Sequence, residues 1–153
     1  MTIIGIDPGL SGGIAVLEEL RGPTVYKMPE TQKDLFELLD AWNTLTPAVV
    51  FVEKVNAGPK MGSSAAFKFG RNVGEVMMAV VAAGLRMELV TPQKWQRELG
   101  LIVKGRGLGQ GDTEKKNRNK ARAQELFPGL KITHSTADAL LLAEFGRRVC
   151  DRN

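Results

Sequence analysis

Three acidic side chains stand at the ends of apolar runs. Asp7 closes Ile3-Ile4-Gly5-Ile6, Glu53 closes Val49-Val50-Phe51-Val52, and Asp138 opens Ala139-Leu140-Leu141-Leu142-Ala143. A carboxylate at the mouth of a core element loses hydration and needs a cation or a hydrogen-bond partner in return. Three such acids in one chain point to a divalent-metal site, because hard cations prefer carboxylate oxygens.

The elements that must carry these acids follow from pattern. Ile3–Ile6 is short, β-branched and broken at once by Pro8-Gly9, so it reads as a buried strand ending in a tight turn. Gly13–Leu17 reads as its hairpin partner across the glycine-rich Pro8–Gly12, and Thr24–Met28 as a third strand ended by Pro29. Thr31, with Asp34 three residues on, is an N-cap for a helix bearing Leu35, Phe36, Leu38, Leu39 and Trp42. Ala48–Glu53 is a continuous apolar strand of the kind covered on both faces in parallel sheets.

Residues 54–62 form a turn-rich loop, and a helix is expected from Ser63 to Ala83, stopped by Gly84. Met87–Val90 predicts a strand, and Thr91-Pro92 caps a short helix through Leu99. Gly100–Asp112 reads as a glycine-rich loop, Thr113–Phe127 as a basic helix, and Ser135–Cys150 as the last helix, with Ser135 as its N-cap. The order β-β-β-α-β-α-β-α-α-α predicts a mixed sheet flanked by helices.

The chain of 153 residues is expected to form one domain, 1–153, and its 43% hydrophobic and 25% charged residues are those of an ordinary globular protein. No apolar stretch approaches the roughly 20 residues that span a bilayer, and Met1 leads into a strand rather than a signal peptide. Cys150 is the only cysteine, which excludes an intramolecular disulfide and a cysteine-rich zinc site. The expectation is a cytoplasmic protein with no membrane partner.

The net charge is +4 and the pI about 9.4, and the positive charge is concentrated. Between Lys94 and Arg122 stand nine Lys or Arg (Lys94, Arg97, Lys104, Arg106, Lys115, Lys116, Arg118, Lys120, Arg122) against three acids (Glu98, Asp112, Glu114). Such a patch attracts phosphate backbones.

Four segments, Gly5-Ile6-Asp7-Pro8-Gly9, Val52-Glu53-Lys54-Val55, Phe69-Gly70-Arg71-Asn72-Val73-Gly74 and Ala137–Ala143, resemble the RuvC family of Holliday junction resolvases. The resemblance runs nearly end to end, through Thr91-Pro92-Gln93-Lys94-Trp95 and the basic helix, and looks most like a phage or prophage branch. It implies an α/β ribonuclease-H-like fold with a mixed five-stranded sheet. The implied activity is that of a homodimeric endodeoxyribonuclease, which nicks symmetrically related strands of a four-way junction and leaves 5′-phosphate and 3′-hydroxyl ends.

The same resemblance implies two Mg²⁺ or Mn²⁺ ions per site, about 3.5–4 Å apart, serving the attacking water and the leaving oxygen. Asp7 would bridge them, Glu53 would hold one and Asp138 would complete the other. Family members place an Asp or a His one helical turn before the last acid. Here His134, the only histidine, stands four residues before Asp138, where it shares a helix face with that acid. Junction arms would lie on Lys54, Lys60, Lys68, Arg71, Lys104, Arg106, Lys115, Lys116, Arg118 and Lys120.

Two features depart from a plain match, and the first is Ser135, which stands three residues before Asp138 where the family carries an acid or a histidine. The family wedges an aromatic that follows the second acid into the junction, whereas Lys54-Val55-Asn56 has none. Met61, Phe67 and Phe69 are the substitutes at hand, although Phe67 and Phe69 read as core residues of their helix. The missing wedge and the departure at Ser135 keep open a broader nuclease of the same fold, debranching flaps, forks and three-way junctions. A Gly-Ile-Asp-x-Gly run also occurs in actin-like ATPases, but a chain this short has no room for their second lobe, and no Gly-x-x-x-x-Gly-Lys-Ser/Thr is present, so no nucleotide cofactor is expected. Trp42 and Trp95 are assigned to packing, and the several apolar stripes of the 63–83 helix to a core face plus a dimer contact.

Overall fold

A computed structural model describes residues 1–45, 47–59, 61–102 and 112–152. Its elements follow the expected order: β1 (Thr2–Asp7), β2 (Gly13–Glu18), β3 (Gly22–Lys27), α1 (Gln32–Leu45), β4 (Ala48–Glu53), α2 (Ser63–Ala82), β5 (Arg86–Val90), α3 (Pro92–Glu98), α4 (Asp112–Leu126) and α5 (His134–Cys150). The strands form one sheet in the order β3-β2-β1-β4-β5. β1 and β3 flank β2 antiparallel, while β4 lies parallel to β1 and β5 parallel to β4. Pro23, which has no N–H to give a ladder, is confined to the edge strand β3.

The period-two alternation of the strands sorts the core into two layers. Ile4, Ile6, Ile14, Val16, Val50 and Val52 point to the face covered by α1 and α2, where they meet Leu35, Leu39, Val76 and Val80. Ile3, Ala15, Leu17 and Phe51 point to the opposite face, beneath Leu140, Leu141, Ala143 and Phe145 of α5 and Trp95 of α3. Asp7 and Glu53 follow Ile3 and Phe51 by even steps, so both belong to the α5 face.

Helix ends follow local chemistry. The Asp34 N–H donates to Thr31 Oγ1 at 3.1 Å, and the Thr31 hydroxyl donates to Asp34 Oδ2, so Thr31 caps α1 as expected. Gly84, at φ +68°, takes the left-handed conformation that stops α2. The cap of α5 differs from expectation. Thr133, not Ser135, is the N-cap, and it forms a capping box with Thr136, whose Oγ1 accepts the Thr133 N–H at 3.1 Å.

α2 also departs from expectation. Its buried residues are Val76, Ala79 and Val80, all in its C-terminal half, whereas Phe67 is 71% exposed. Phe67 is therefore not a core residue, and Phe69 is only half-buried. Among the described residues no helix is long and apolar enough to cross a membrane.

Candidate metal centre and nucleic-acid interface

The parallel pairing of β1 with β4 aligns Ile6 with Val52, so the next residue of each strand, Asp7 and Glu53, leaves the sheet at the same edge. α5 is brought down onto this end by glycines that admit its backbone. A methyl on Gly13 would stand 2.6 Å from the Ser135 carbonyl oxygen, so only glycine allows the first turn of α5 to rest on β2. Asp138, in the second turn, is thereby set beside the two strand acids.

Each carboxylate is held at one oxygen by a neutral donor. The Gly9 N–H donates to Asp7 Oδ1 at 3.1 Å, the Trp95 indole N–H to Glu53 Oε1 at 2.9 Å, and the Asn119 amide to Asp138 Oδ1 at 2.8 Å. Burial raises the pKa of all three acids, and their mutual repulsion adds to this for Glu53 and Asp138. Glu53 reaches about 7, from desolvation first and the Asp7 charge second, with the Trp95 bond opposing both. The cationic influence on the cluster comes from α4: Lys116 lowers the pKa of Asp7 and Asp138, and Arg118 that of Asp138.

Among the described residues, no three His, Cys, Asp or Glu side chains close around one point as a preformed ion cage. Repulsion among the acids opposes such closure without a counter-charge. The donor set nonetheless fits a hard divalent cation. It offers carboxylate oxygens alone, on three separate elements, with a charge excess that burial makes costly.

The other anticipated residues are distributed unevenly. His134 opens α5 but is exposed, and its Nε2 is 3.0 Å from Asn117 Oδ1 of α4. With the amide oxygen facing it, the ring donates at Nε2. Lys54 and Lys68 are exposed, and Lys68 lines a polar groove with Leu10, Met28 and Arg71. Arg71 is also engaged by Glu75 at 3.4 Å. On α4, Lys116 is exposed while Lys115, Arg118 and Lys120 are half-buried. Lys60, Lys104 and Arg106, with most of the glycine-rich loop, lie outside the described residues.

Two residues at the site were not anticipated. Trp95, assigned to packing from sequence, is fully buried and also holds Glu53. Asn119 had no assignment; it is 3% exposed, holds Asp138, and accepts from Arg118 through its own oxygen at 3.2 Å. The one sequence signal for it was a short polar side chain in a helix interior, where such residues compete with the backbone and need a partner.

No protein family and no curated protein matches the chain in sequence. Among solved structures it is similar to T. thermophilus RuvC in complex with a Holliday junction substrate, with 20% identity, a TM-score of 0.64, and coverage of 97% of this chain and 96% of that one. It is likewise similar to a Thermus thermophilus RuvC structure, with 22% identity, a TM-score of 0.60, and 98% and 97% coverage. The chain therefore has the RuvC-like, ribonuclease-H-like α/β fold.

Proposed function

We propose that this chain is a divalent-metal-dependent endodeoxyribonuclease that resolves four-way DNA junctions as a homodimer. The observation that carries the reading is the convergence of Asp7, Glu53 and Asp138 from β1, β4 and α5 beside the basic helix α4. A cluster of buried acids next to a cationic helix would repel DNA phosphates unless a cation stands between them. The end-to-end likeness in fold to a RuvC in complex with a Holliday junction substrate supports the choice of substrate.

In this reading Asp7, Glu53 and Asp138 would hold Mg²⁺ or Mn²⁺. Bound there, such ions supply charge stabilisation at the reacting phosphate and lower the pKa of a water. Lys116 and Arg118 draw the phosphate backbone to the cluster, and each phosphate contact steepens the salt dependence of binding by about one unit of slope. His134, four residues before Asp138 on the same face of α5, would orient the attacking water or take a proton from it. Lys54, Lys68 and Arg71, together with Lys115 and Lys120 of α4, extend the basic surface for the junction arms. Met78 and Val81, exposed at 60% and 57% on α2, supply apolar surface for the two-fold contact.

A second reading, a debranching nuclease for flaps, forks and three-way junctions, is favoured by the lack of an aromatic in Lys54-Val55-Asn56. One experiment separates them. Labelled four-way junction, flap, fork and duplex are incubated with the protein in Mg²⁺, Mn²⁺ or EDTA, alongside Asp7→Asn. Paired, metal-dependent nicks confined to the four-way junction, lost in Asp7→Asn while junction binding persists, are expected. Cutting spread over all branched substrates supports the second reading, and parental cleavage by Asp7→Asn removes the metal-site assignment altogether.

A further inference from the structure

We propose that Trp95 and Asn119 are positioning residues that fix Glu53 and Asp138 so that one oxygen of each is presented to a cation. The inference rests on the metal-site reading above and extends it to two residues outside the ligand set. Glu53 and Asp138 sit on different elements, β4 and α5, and each is gripped from a third direction, by α3 and by α4. Both donors are buried, Trp95 completely and Asn119 at 3% exposure. Side chains so enclosed have little freedom to leave their rotamers, and the carboxylates they hold are pinned with them.

The chemistry of the donors is the telling part. Glu144, at 3% exposure, accepts three hydrogen bonds from the guanidinium groups of Arg147 and Arg148, at 2.8–2.9 Å. That is how this fold neutralises a carboxylate that lies outside the acid cluster. Glu53 and Asp138 receive one bond each, and in both cases from a neutral N–H. A neutral donor orients a carboxylate without cancelling its charge, and it leaves the second oxygen's lone pairs for another partner. An arginine in the same place would compete with the cation. Asn119 is fixed in turn, since its oxygen accepts from Arg118 while its amide serves Asp138. Its amide orientation is thereby set by partners on both sides. Arg118, on the basic helix, is then one side chain removed from the carboxylate of Asp138, so a phosphate bound on α4 and a cation bound at the acids share a single hydrogen-bond chain.

The test uses full-length protein without DNA. Trp95→Phe keeps an aromatic ring and deletes the N–H; Asn119→Leu keeps about the same volume and deletes the amide. Mn²⁺ dissociation constants are read by titration calorimetry or by the free-Mn²⁺ EPR signal, with melting temperature as a check on folding. Junction affinity in EDTA and cleavage rate against Mn²⁺ concentration are measured in parallel. Each variant is expected to weaken Mn²⁺ binding about tenfold or more, to bind junction in EDTA like the parent, and to regain most of its cleavage rate at saturating Mn²⁺. A folded variant with the parental Mn²⁺ constant overturns the assignment for its own carboxylate. Unfolding of both variants, or a parallel loss of EDTA junction binding, overturns it by marking the residues as core supports. Absence of Mn²⁺ binding by the parent overturns it too. Weakened Mn²⁺ binding in a protein that cuts no branched DNA leaves the anchoring in place and removes the nuclease reading instead.

Discussion

Gly5 of β1 lies directly beneath Ala139 of α5. A methyl built on Gly5 would run into the Ala139 carbonyl oxygen and stand 2.5 Å from the Ala143 nitrogen. The obstructing atoms belong to the helix backbone, so no side-chain rotation relieves the conflict. The same contact sets the height of α5 above the sheet, and with it the approach of Asp138 to Asp7. Gly5→Ala is expected to destabilise the fold by about 3 kcal/mol, at the upper end for overpacking, because a whole helix must shift. Urea unfolding with an unchanged m-value checks this, and a loss under about 0.5 kcal/mol would show that α5 does not rest on β1 in solution.

A second expectation concerns pH. Glu53 titrates at about 7 instead of 4.5, because burial and then the Asp7 charge disfavour its ionised form. Between those two values the folded state keeps a proton that the unfolded chain has released. Stability of the metal-free protein therefore falls as pH rises through this window, by something on the order of 2–3 kcal/mol for Glu53. Asp7 and Asp138 shift in the same direction and add to the slope. Glu144 acts elsewhere. Burial alone would raise its pKa, but the bonds from Arg147 and Arg148 carry it below 4.5, so its contribution is lost only as pH falls below that range. In EDTA the melting temperature should drop from pH 5 to pH 8, and Mg²⁺ should restore it more at pH 8 than at pH 5. The EDTA drop should shrink in Glu53→Gln. A flat profile in EDTA would mean that the acids are hydrated rather than buried together.

Sequence pattern carried the architecture further than it carried the site. Ala48–Glu53 was delimited to the residue, because an apolar run bounded by Pro47 and a charge leaves no choice of ends. The three acids were legible for the same reason, since each interrupts an apolar run. The roles of Trp95 and Asn119 were not. Their partners are 42 and 19 residues away, and no local pattern records which carboxylate a distant N–H will meet. Phe67 was misjudged because helical periodicity states which side of α2 is apolar, but not how far along the helix the sheet extends. The cap of α5 was misplaced by two residues because Thr133 and Ser135 are both good N-caps by type, and the capping box that Thr133 forms with Thr136 favours the earlier one.

Phe67 supplies the last expectation. The Asn72 amide donates to the Pro8 carbonyl, so α2 touches the turn that follows Asp7. Phe67 stands five residues earlier, about 7.5 Å along the helix axis from that contact. It is held out to solvent beside Lys68, whose side chain lines the groove at the same turn. An exposed ring contributes almost nothing to folding, so Phe67→Ala should leave the melting temperature within about 1 °C of the parent. A solvent-exposed ring on the helix that touches this turn is instead suited to stacking on an unpaired base, a contact of about 1–3 kcal/mol that duplex DNA cannot make. The variant is therefore expected to bind and cut four-way junction at least fivefold less well, while its weak duplex affinity stays the same. Sedimentation distinguishes the competing account. If Phe67→Ala turns a dimer into a monomer, the ring belongs to the subunit contact with Met78 and Val81, and junction opening must be assigned to another side chain.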